Sequence, residues 1–198
     1  RLSYRIRRTM KIGIAGGIGS GKSYICRSLR QRGYEVYDCD AAAKRLIRTS
    51  PDIRRELTAL IGPDTYDAET GALNKAAVAR FLLASESNAK AIDAIVHPAV
   101  FRDFQESGLD WLESAIMFES GINQLMDVVI AVVAPKEVRI QRVMDRDHIS
   151  REEVLEWMSR QYPQREVIQR ANFVLVNDGK ANIEHQLNKI IEQCNKQF

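Results

Sequence analysis

The run Gly16-Gly-Ile-Gly-Ser-Gly-Lys-Ser23 fits the phosphate-binding pattern G-x-x-x-x-G-K-[ST], and it limits this chain more than any other feature. Glycines let the backbone curl so that successive N–H groups face an anion. Gly17, Ile18, Gly19, Ser20, Gly21, Lys22 and Ser23 are therefore the expected contacts for nucleotide phosphates. Lys22 adds a point charge for the outer phosphates, and the Ser23 hydroxyl is the candidate ligand for Mg²⁺. The setting agrees. Residues 11–15, Lys-Ile-Gly-Ile-Ala, read as a short buried strand, and residues 22–30 read as a helix. The loop thus opens a helix, where unpaired N–H groups and the macrodipole favour negative charge.

The formal charge of +3 misleads. Arg1, Arg5, Arg7 and Arg8 precede Met10 with no acid among them; without them 25 basic residues face 26 acidic ones. A nearly neutral body gives no argument for nucleic acid as a partner, and the basic arm is short and poor in aromatics. Residues 1–9 are set apart as an N-terminal extension whose native status the sequence leaves open, and residues 10–198 are expected to form one domain. Three scattered cysteines, Cys26, Cys39 and Cys194, form neither a metal-binding nor a disulfide pattern. No apolar run has membrane length, so the expected place is the cytoplasm, without a membrane partner.

Five apolar runs read as strands: Ile12–Ala15, Tyr34–Asp38, Ser114–Phe118, Val128–Ala134 and Phe173–Val176. The fourth shows no alternation, as suits a strand covered on both faces. Helical patterns lie between them, so the expected fold is α/β, three layers around a five-stranded parallel sheet. Two stretches exceed a simple crossover. Residues 41–110 carry helical periodicity over Ile53–Ile61, Asn74–Ala84 and Ala89–Phe104, which predicts a helical substrate-binding insert. Residues 136–171 carry Arg139, Arg142 and Arg146 at i, i+3 and i+7 on one helix face, followed by the capping signature Ser150-Arg-Glu-Glu153. Beside a phosphate loop, that arginine stripe reads as a helical lid.

A phosphate loop alone does not settle the chemistry. Guanine-recognising N-K-x-D is missing, since Asn74-Lys75 is followed by two alanines. No Asp has a Gly three residues later, no L-S-G-G-Q occurs, and the chain is short for a two-domain helicase. A small-molecule kinase using ATP remains. Such an enzyme needs a group to take the acceptor's proton. Asp38-Cys39-Asp40 closes the second strand, at the sheet edge where ligands bind. Asp40 is the candidate base, with N-capping of a helix over Ala41–Arg48 as the competing role. Asp38 is the candidate to orient the metal or bond the substrate. His97, before Pro98, suits substrate contact or a structural bond equally, and the proline is expected to stop or kink its helix. Trp111, Trp157 and Phe101 read as packing residues.

Together these motifs resemble the dephospho-CoA kinase family from about Met10 onward. The likeness rests on the loop, on Asp38-x-Asp40 before an Ala-rich helix with Arg45, and on Gly71-x-Leu73 and His97-Pro98. It continues through Phe118-Glu119-Ser120, Gln141-Arg142-Val-Met-x-Arg146-Asp147, Arg160-Gln161-Tyr-Pro163 and Asn177-Asp-Gly179. The resemblance implies ATP-dependent phosphorylation of the ribose 3′-hydroxyl of dephospho-CoA, the last step of coenzyme A biosynthesis, by a monomer or small homo-oligomer. It implies a CoA-binding role for the insert and a lid carrying Arg142 and Arg146. Asp40 would be the base, Lys22 would grip phosphate, and Arg146 would stabilise the transferring phosphoryl. Tyr24, Arg142 and Asn177 would join the nucleotide site, and Asp38, Arg45, His97 and Glu119 the acceptor site. Three positions depart from the family pattern: Tyr24 replaces threonine, Cys39 alanine and Ala115 proline. The alternatives are another small-molecule kinase, of nucleoside or shikimate type, and a non-catalytic nucleotide switch.

Overall fold

Residues Ile12, Gly13, Ile14 and Ala15 form a strand, β1, with every position buried, because it is flanked on both sides by other strands. A computed structural model describes residues 9–197. Arg1, Arg5, Arg7 and Arg8 of the expected extension lie outside the described residues. Two compact units divide the chain: residues 1–37 with 109–198, and residues 38–108.

The first unit holds the sheet. Its strands are β1, β2 (Val36–Asp38, whose last residue begins the other unit), β3 (Trp111–Ser114), β4 (Val128–Val133) and β5 (Phe173–Val176). Their order is β2-β3-β1-β4-β5, the five-stranded parallel arrangement of an α/β kinase core. Ile12 pairs with both Trp111 and Val128, and Ala15 with both Ser114 and Ala131. All six residues of β4 are buried, as its unbroken Val/Ile/Ala run predicts. The helix α1 (Lys22–Gln31) lays Ile25, Cys26 and Leu29 on this sheet. A C-terminal helix, α9 (Ile183–Gln197), adds Leu187, Ile190 and Cys194 to the same core. Burying such an aliphatic side chain contributes about 1.5–3 kcal/mol.

The third strand lies three residues earlier than its apolar run suggests. Trp111-Leu-Glu-Ser114 is the strand, and Ala115–Phe118 turns away instead of extending to Phe118 as expected. The register explains this: β3 ends level with β1, where Ser114 Oγ accepts from Ile116 N (3.1 Å) and starts a turn. Met117, within that turn, is buried beneath the sheet. A Cβ on Gly13 would come within 2.7 Å of its Cε. The apolar character of this run therefore serves packing, not pairing. Trp111 is buried as expected, 5.2 Å from the Tyr34 ring, whereas Trp157 is exposed.

The same unit carries α6 (Lys136–Asp147), α7 (Arg151–Ser159) and α8 (Gln164–Arg170) between β4 and β5. Ser150 caps α7 by accepting from Glu153 N (3.2 Å), the bond its signature predicts. Ile140, Val143 and Val154 form a separate small core, and Ile18 of the phosphate loop packs into it.

The second unit is helical: α2 (Cys39–Thr49), α3 (Pro51–Ile61), α4 (Lys75–Ala84) and α5 (Ser87–Ser107). Side-chain caps start three of them, with Asp38 accepting from Ala41 N (3.0 Å), Ser50 from Ile53 N (3.3 Å) and Asn74 from Ala77 N (3.2 Å). Pro98 neither stops nor splits α5, which runs on to Ser107. Ile53, Leu57 and Tyr66 form the unit's core, with Tyr66 bonding Ile47 O (2.8 Å) and Arg54 lying 4.3 Å over its ring.

Polar contacts tie the end of α1 to α9, among them Arg32 Nη1 donating to Asn188 Oδ1 (2.6 Å). Glu184 accepts from Ser28 Oγ (2.5 Å) and from Arg32, and both partners hold its carboxyl below the usual carboxylate range. A depressed carboxyl stabilises the fold above its unfolded pKa and loses that contribution as pH falls through the folded value. Glu184→Gln is therefore expected to cost under about 1 kcal/mol at pH 7, since the group is half exposed. The difference from the parent should close as the pH is lowered through the depressed folded pKa of Glu184, as read from urea unfolding midpoints across an acid pH series.

Candidate active site at the phosphate loop

At the end of β1 the chain enters a turn that lacks the caps seen elsewhere. Gly21 precedes α1 with φ 89°, and no side chain caps the helix. The N–H groups of Gly19, Gly21, Lys22 and Ser23 have no hydrogen-bond partner among the described residues. The carbonyls, in contrast, are held. Arg139 Nε donates to Ile18 O (3.0 Å), and Arg142 Nη1 to Gly19 O (3.3 Å) and Ser20 O (3.4 Å). Asn177 Nδ2 donates to Gly21 O (3.4 Å). Four consecutive carbonyls are thus occupied by side chains, which fixes the peptide planes and leaves N–H groups open for an anion.

These contacts explain the glycines better than loop flexibility does. A Cβ on Gly21 would lie 2.0 Å from Asn177 Nδ2, and one on Gly17 would lie 2.3 Å from Arg139 Nη2. Asn177 is itself buried just after β5, its N–H on Val133 O (2.8 Å) and its carbonyl accepting from Arg142 Nη2 (2.8 Å). Gln161, beyond α7, accepts from Ile18 N (2.9 Å). Ser20 Oγ is fully buried with no hydrogen-bond partner among the described residues.

Positive charge gathers here without matching acids. Lys22 has no hydrogen-bond or ion-pair partner among the described residues. Burial pulls its pKa below the usual lysine value, Glu113 on β3 opposes this, and Arg139 and Arg146 reinforce it. Glu113 is shared, accepting from Cys26 Sγ (3.3 Å) and facing Arg30 (3.8 Å). Burial also lowers the pKa of Arg139, which has no carboxylate partner among the described residues. A guanidinium stays protonated regardless, so these are uncompensated cations awaiting an anion.

The other expected site residues divide between the two units. Ser23 and Tyr24 sit exposed in the first turn of α1. Arg146 is exposed and bonds Asp147 in a bidentate pair (2.8 and 2.7 Å), not the loop. Glu119 accepts from Tyr162 N (3.1 Å). In the helical unit, Asp38 takes the N-cap role weighed for Asp40, because α2 starts at Cys39 and not at Ala41. Asp40 is left mostly exposed in the first turn, with Lys44 Nζ 3.2 Å away. Arg45 bonds Asp103, and His97 lies 3.5 Å from Asp93 on its own helix.

No group of three or more His, Cys, Asp or Glu side chains among the described residues could hold a metal ion. One exposed hydroxyl, Ser23, fits a cation that keeps waters and takes its remaining ligands from phosphate, as Mg²⁺ does.

The sequence pattern of the family described as "Dephospho-CoA kinase" matches residues 10–182. The chain belongs to the dephospho-CoA kinase family. It is 40% identical to a dephospho-CoA kinase of Porphyromonas gingivalis, over 91% of this chain and 92% of that protein. It is 38% identical to one of Bacteroides fragilis, over 92% and 91%. Among solved structures it is similar to TT1252 from Thermus thermophilus, with TM-score 0.80 and 36% identity over 93% of this chain and 96% of that one.

Within this dephospho-CoA kinase family member, the loop was readable from the sequence but its braces were not. Arg139 was visible only as part of a stripe, and Gln161 only within the Arg160-Gln161 motif. Nothing local in the sequence marks a glutamine 143 residues away as the acceptor for Ile18 N. Gly21→Ala is expected to lower ATP affinity at least tenfold, through both the Asn177 clash and the positive φ. Adding Asn177→Ala should recover only part of the loss, because the backbone strain persists. Calorimetric titration with ATP checks both.

Proposed function

We propose that this kinase transfers the γ-phosphoryl of ATP to the ribose 3′-hydroxyl of dephospho-CoA, giving CoA and ADP. Membership of the dephospho-CoA kinase family carries the choice of acceptor. The uncapped loop with its unpaired cations supports the choice of donor, because a polyphosphate satisfies both at once. In this reading the open N–H groups of the loop over residues 17–23, those of Gly19, Gly21, Lys22 and Ser23, and the Lys22 ammonium receive the β- and γ-phosphates, with Tyr24, Arg142 and Asn177 completing the nucleotide site. The Ser23 hydroxyl would hold Mg²⁺, which when bound screens phosphate charge.

Residues 38–108 would bind the acceptor, with Asp38, Arg45 and His97 as contacts, and Glu119 would join the acceptor site. Asp40 takes the 3′-hydroxyl proton as the alcohol oxygen bonds to phosphorus. The bond from phosphorus to the bridging oxygen breaks, and ADP leaves with that electron pair. Asp40 suits the task chemically, as an exposed carboxylate paired with an exposed lysine, Lys44, that solvent can replace. Residues 136–171 would act as a lid. Arg146 would leave Asp147 for the transferring phosphoryl at little cost, the present pair being exposed. Exclusion of water by such closure limits ATP hydrolysis.

No helix among the described residues is long and apolar enough to cross a membrane. We place the enzyme in the cytoplasm as a monomer or small homo-oligomer.

A coupled ADP-release assay with dephospho-CoA, adenosine and shikimate as acceptors tests the activity. Strong preference for dephospho-CoA is expected, and equal rates with adenosine would overturn the reading. Asp40→Asn should lower kcat by about 10²- to 10⁴-fold with both KM values within a few-fold. Near-parental kcat would remove the base assignment.

A further inference from the structure

The geometry points to Gln161 and Arg139 as a donor pair that contacts the outer, transferring phosphate of the bound nucleotide. This rests on the kinase reading above and adds two residues to it. The observation is how both side chains bracket one peptide. Gln161 Oε1 accepts from Ile18 N (2.9 Å), while Arg139 Nε donates to Ile18 O (3.0 Å).

The Ile18 contact settles which way the Gln161 amide faces. A backbone N–H can be met only by the amide oxygen, so Nε2 must occupy the other position. Nε2 has no partner among the described residues, and its two N–H donors are held at the loop by the bond to Oε1. Arg139 is more pointed still. It is 8% exposed, its Nε is satisfied by Ile18 O, and neither Nη atom has a partner among the described residues. A buried guanidinium without a carboxylate is costly unless an anion completes it.

Both side chains pass directly over Gly17. A Cβ there would meet Arg139 Nη2 at 2.3 Å and Gln161 Oε1 at 3.0 Å. Gly17 is thus needed for close approach, since it is not among the positive-φ glycines. The pair reaches the loop at its amino-terminal half, away from the helix N-terminus formed by Gly21, Lys22 and Ser23. Lys22 reaches the phosphates from that helix N-terminus, and a phosphate chain that continues along the loop toward Gly17 brings its terminal group to Gln161 Nε2 and Arg139. Gln161 lies two residues beyond α7, and the next residue, Tyr162, donates its N–H to Glu119 (3.1 Å). Arrival of the outer phosphate is therefore felt at the base of the α6–α7 segment.

The consequence is discrimination between triphosphate and diphosphate. Affinities for a non-hydrolysable ATP analogue and for ADP are measured by calorimetry, alongside kcat, for the parent, Gln161→Ala, Gln161→Glu and Arg139→Gln. Each variant is expected to weaken analogue binding about tenfold, the scale of a hydrogen bond to a charged group. ADP affinity should move less than twofold in Gln161→Ala, and kcat should fall in all three. Gln161→Glu retains the acceptor for Ile18 N but has no donor, so it should not rescue the analogue. If Gln161→Glu restores parental analogue binding and kcat, or if the analogue and ADP weaken equally in Gln161→Ala, the residue is a loop brace only and the proposal is overturned. Unchanged behaviour of Arg139→Gln overturns the guanidinium's part. The binding arms need no acceptor, so they decide this question even if dephospho-CoA proves not to be the substrate. Acceptor-dependent ADP release in the parent judges that reading separately.

Discussion

Everything in the first unit turns on keeping four peptide groups of one loop facing the same way. Backbone N–H groups without partners are ordinarily avoided inside proteins. Here Gly19, Gly21, Lys22 and Ser23 leave theirs open, and the fold supplies side chains to hold the carbonyls of Ile18, Gly19, Ser20 and Gly21, three of which share a peptide with an open N–H group. Arg139, Arg142 and Asn177 come from the segment between β4 and β5 and from the end of β5. The strand order, with β4 beside β1 and β5 beside β4, brings them there.

That arrangement has an energetic cost in the absence of nucleotide. Lys22 is partly desolvated, Arg139 is buried without a carboxylate, and Glu113 is divided among Lys22, Cys26 and Arg30. Such a cluster is stabilised by whatever anion binds it, because a ligand that binds only the folded state adds its binding free energy to stability. Preorganised cations are also suited to charge that shifts from γ-phosphate to leaving oxygen, since they need not reorient as it moves. Stability lost in the empty site is thus the counterpart of affinity and rate in the filled one.

Local and long-range features were not equally legible. The loop, the strands β1 and β5, and the Ser150 cap were readable because each depends on neighbours within a few residues. The third strand was displaced because hydrophobicity reports burial and not pairing. In the apolar run Ala115–Phe118 it is Met117 that is buried, filling space under Gly13, while Glu113 and Ser114 interrupt the apolar pattern of the true strand. The cap of α2 passed from Asp40 to Asp38 for a similar reason. Both are favoured capping residues, and only the backbone geometry at residue 38 chooses between them. Pro98 shows the reverse case, where packing of α5 on its neighbours carries the helix through a residue that disfavours it.

The amino-acid sequence alone determined the phosphate loop, the α/β class and the family, because these are written in spacing and composition that need no third dimension. Tertiary structure decided which atoms touch the loop. Residues 139, 142, 161 and 177 meet Ile18, Gly19, Ser20 and Gly21 from more than 115 positions away, through helices and strands whose relative placement no local pattern encodes. Hydrogen bonding acts over about 3 Å, so a contact between distant parts of the chain exists only once the sheet order has brought them together.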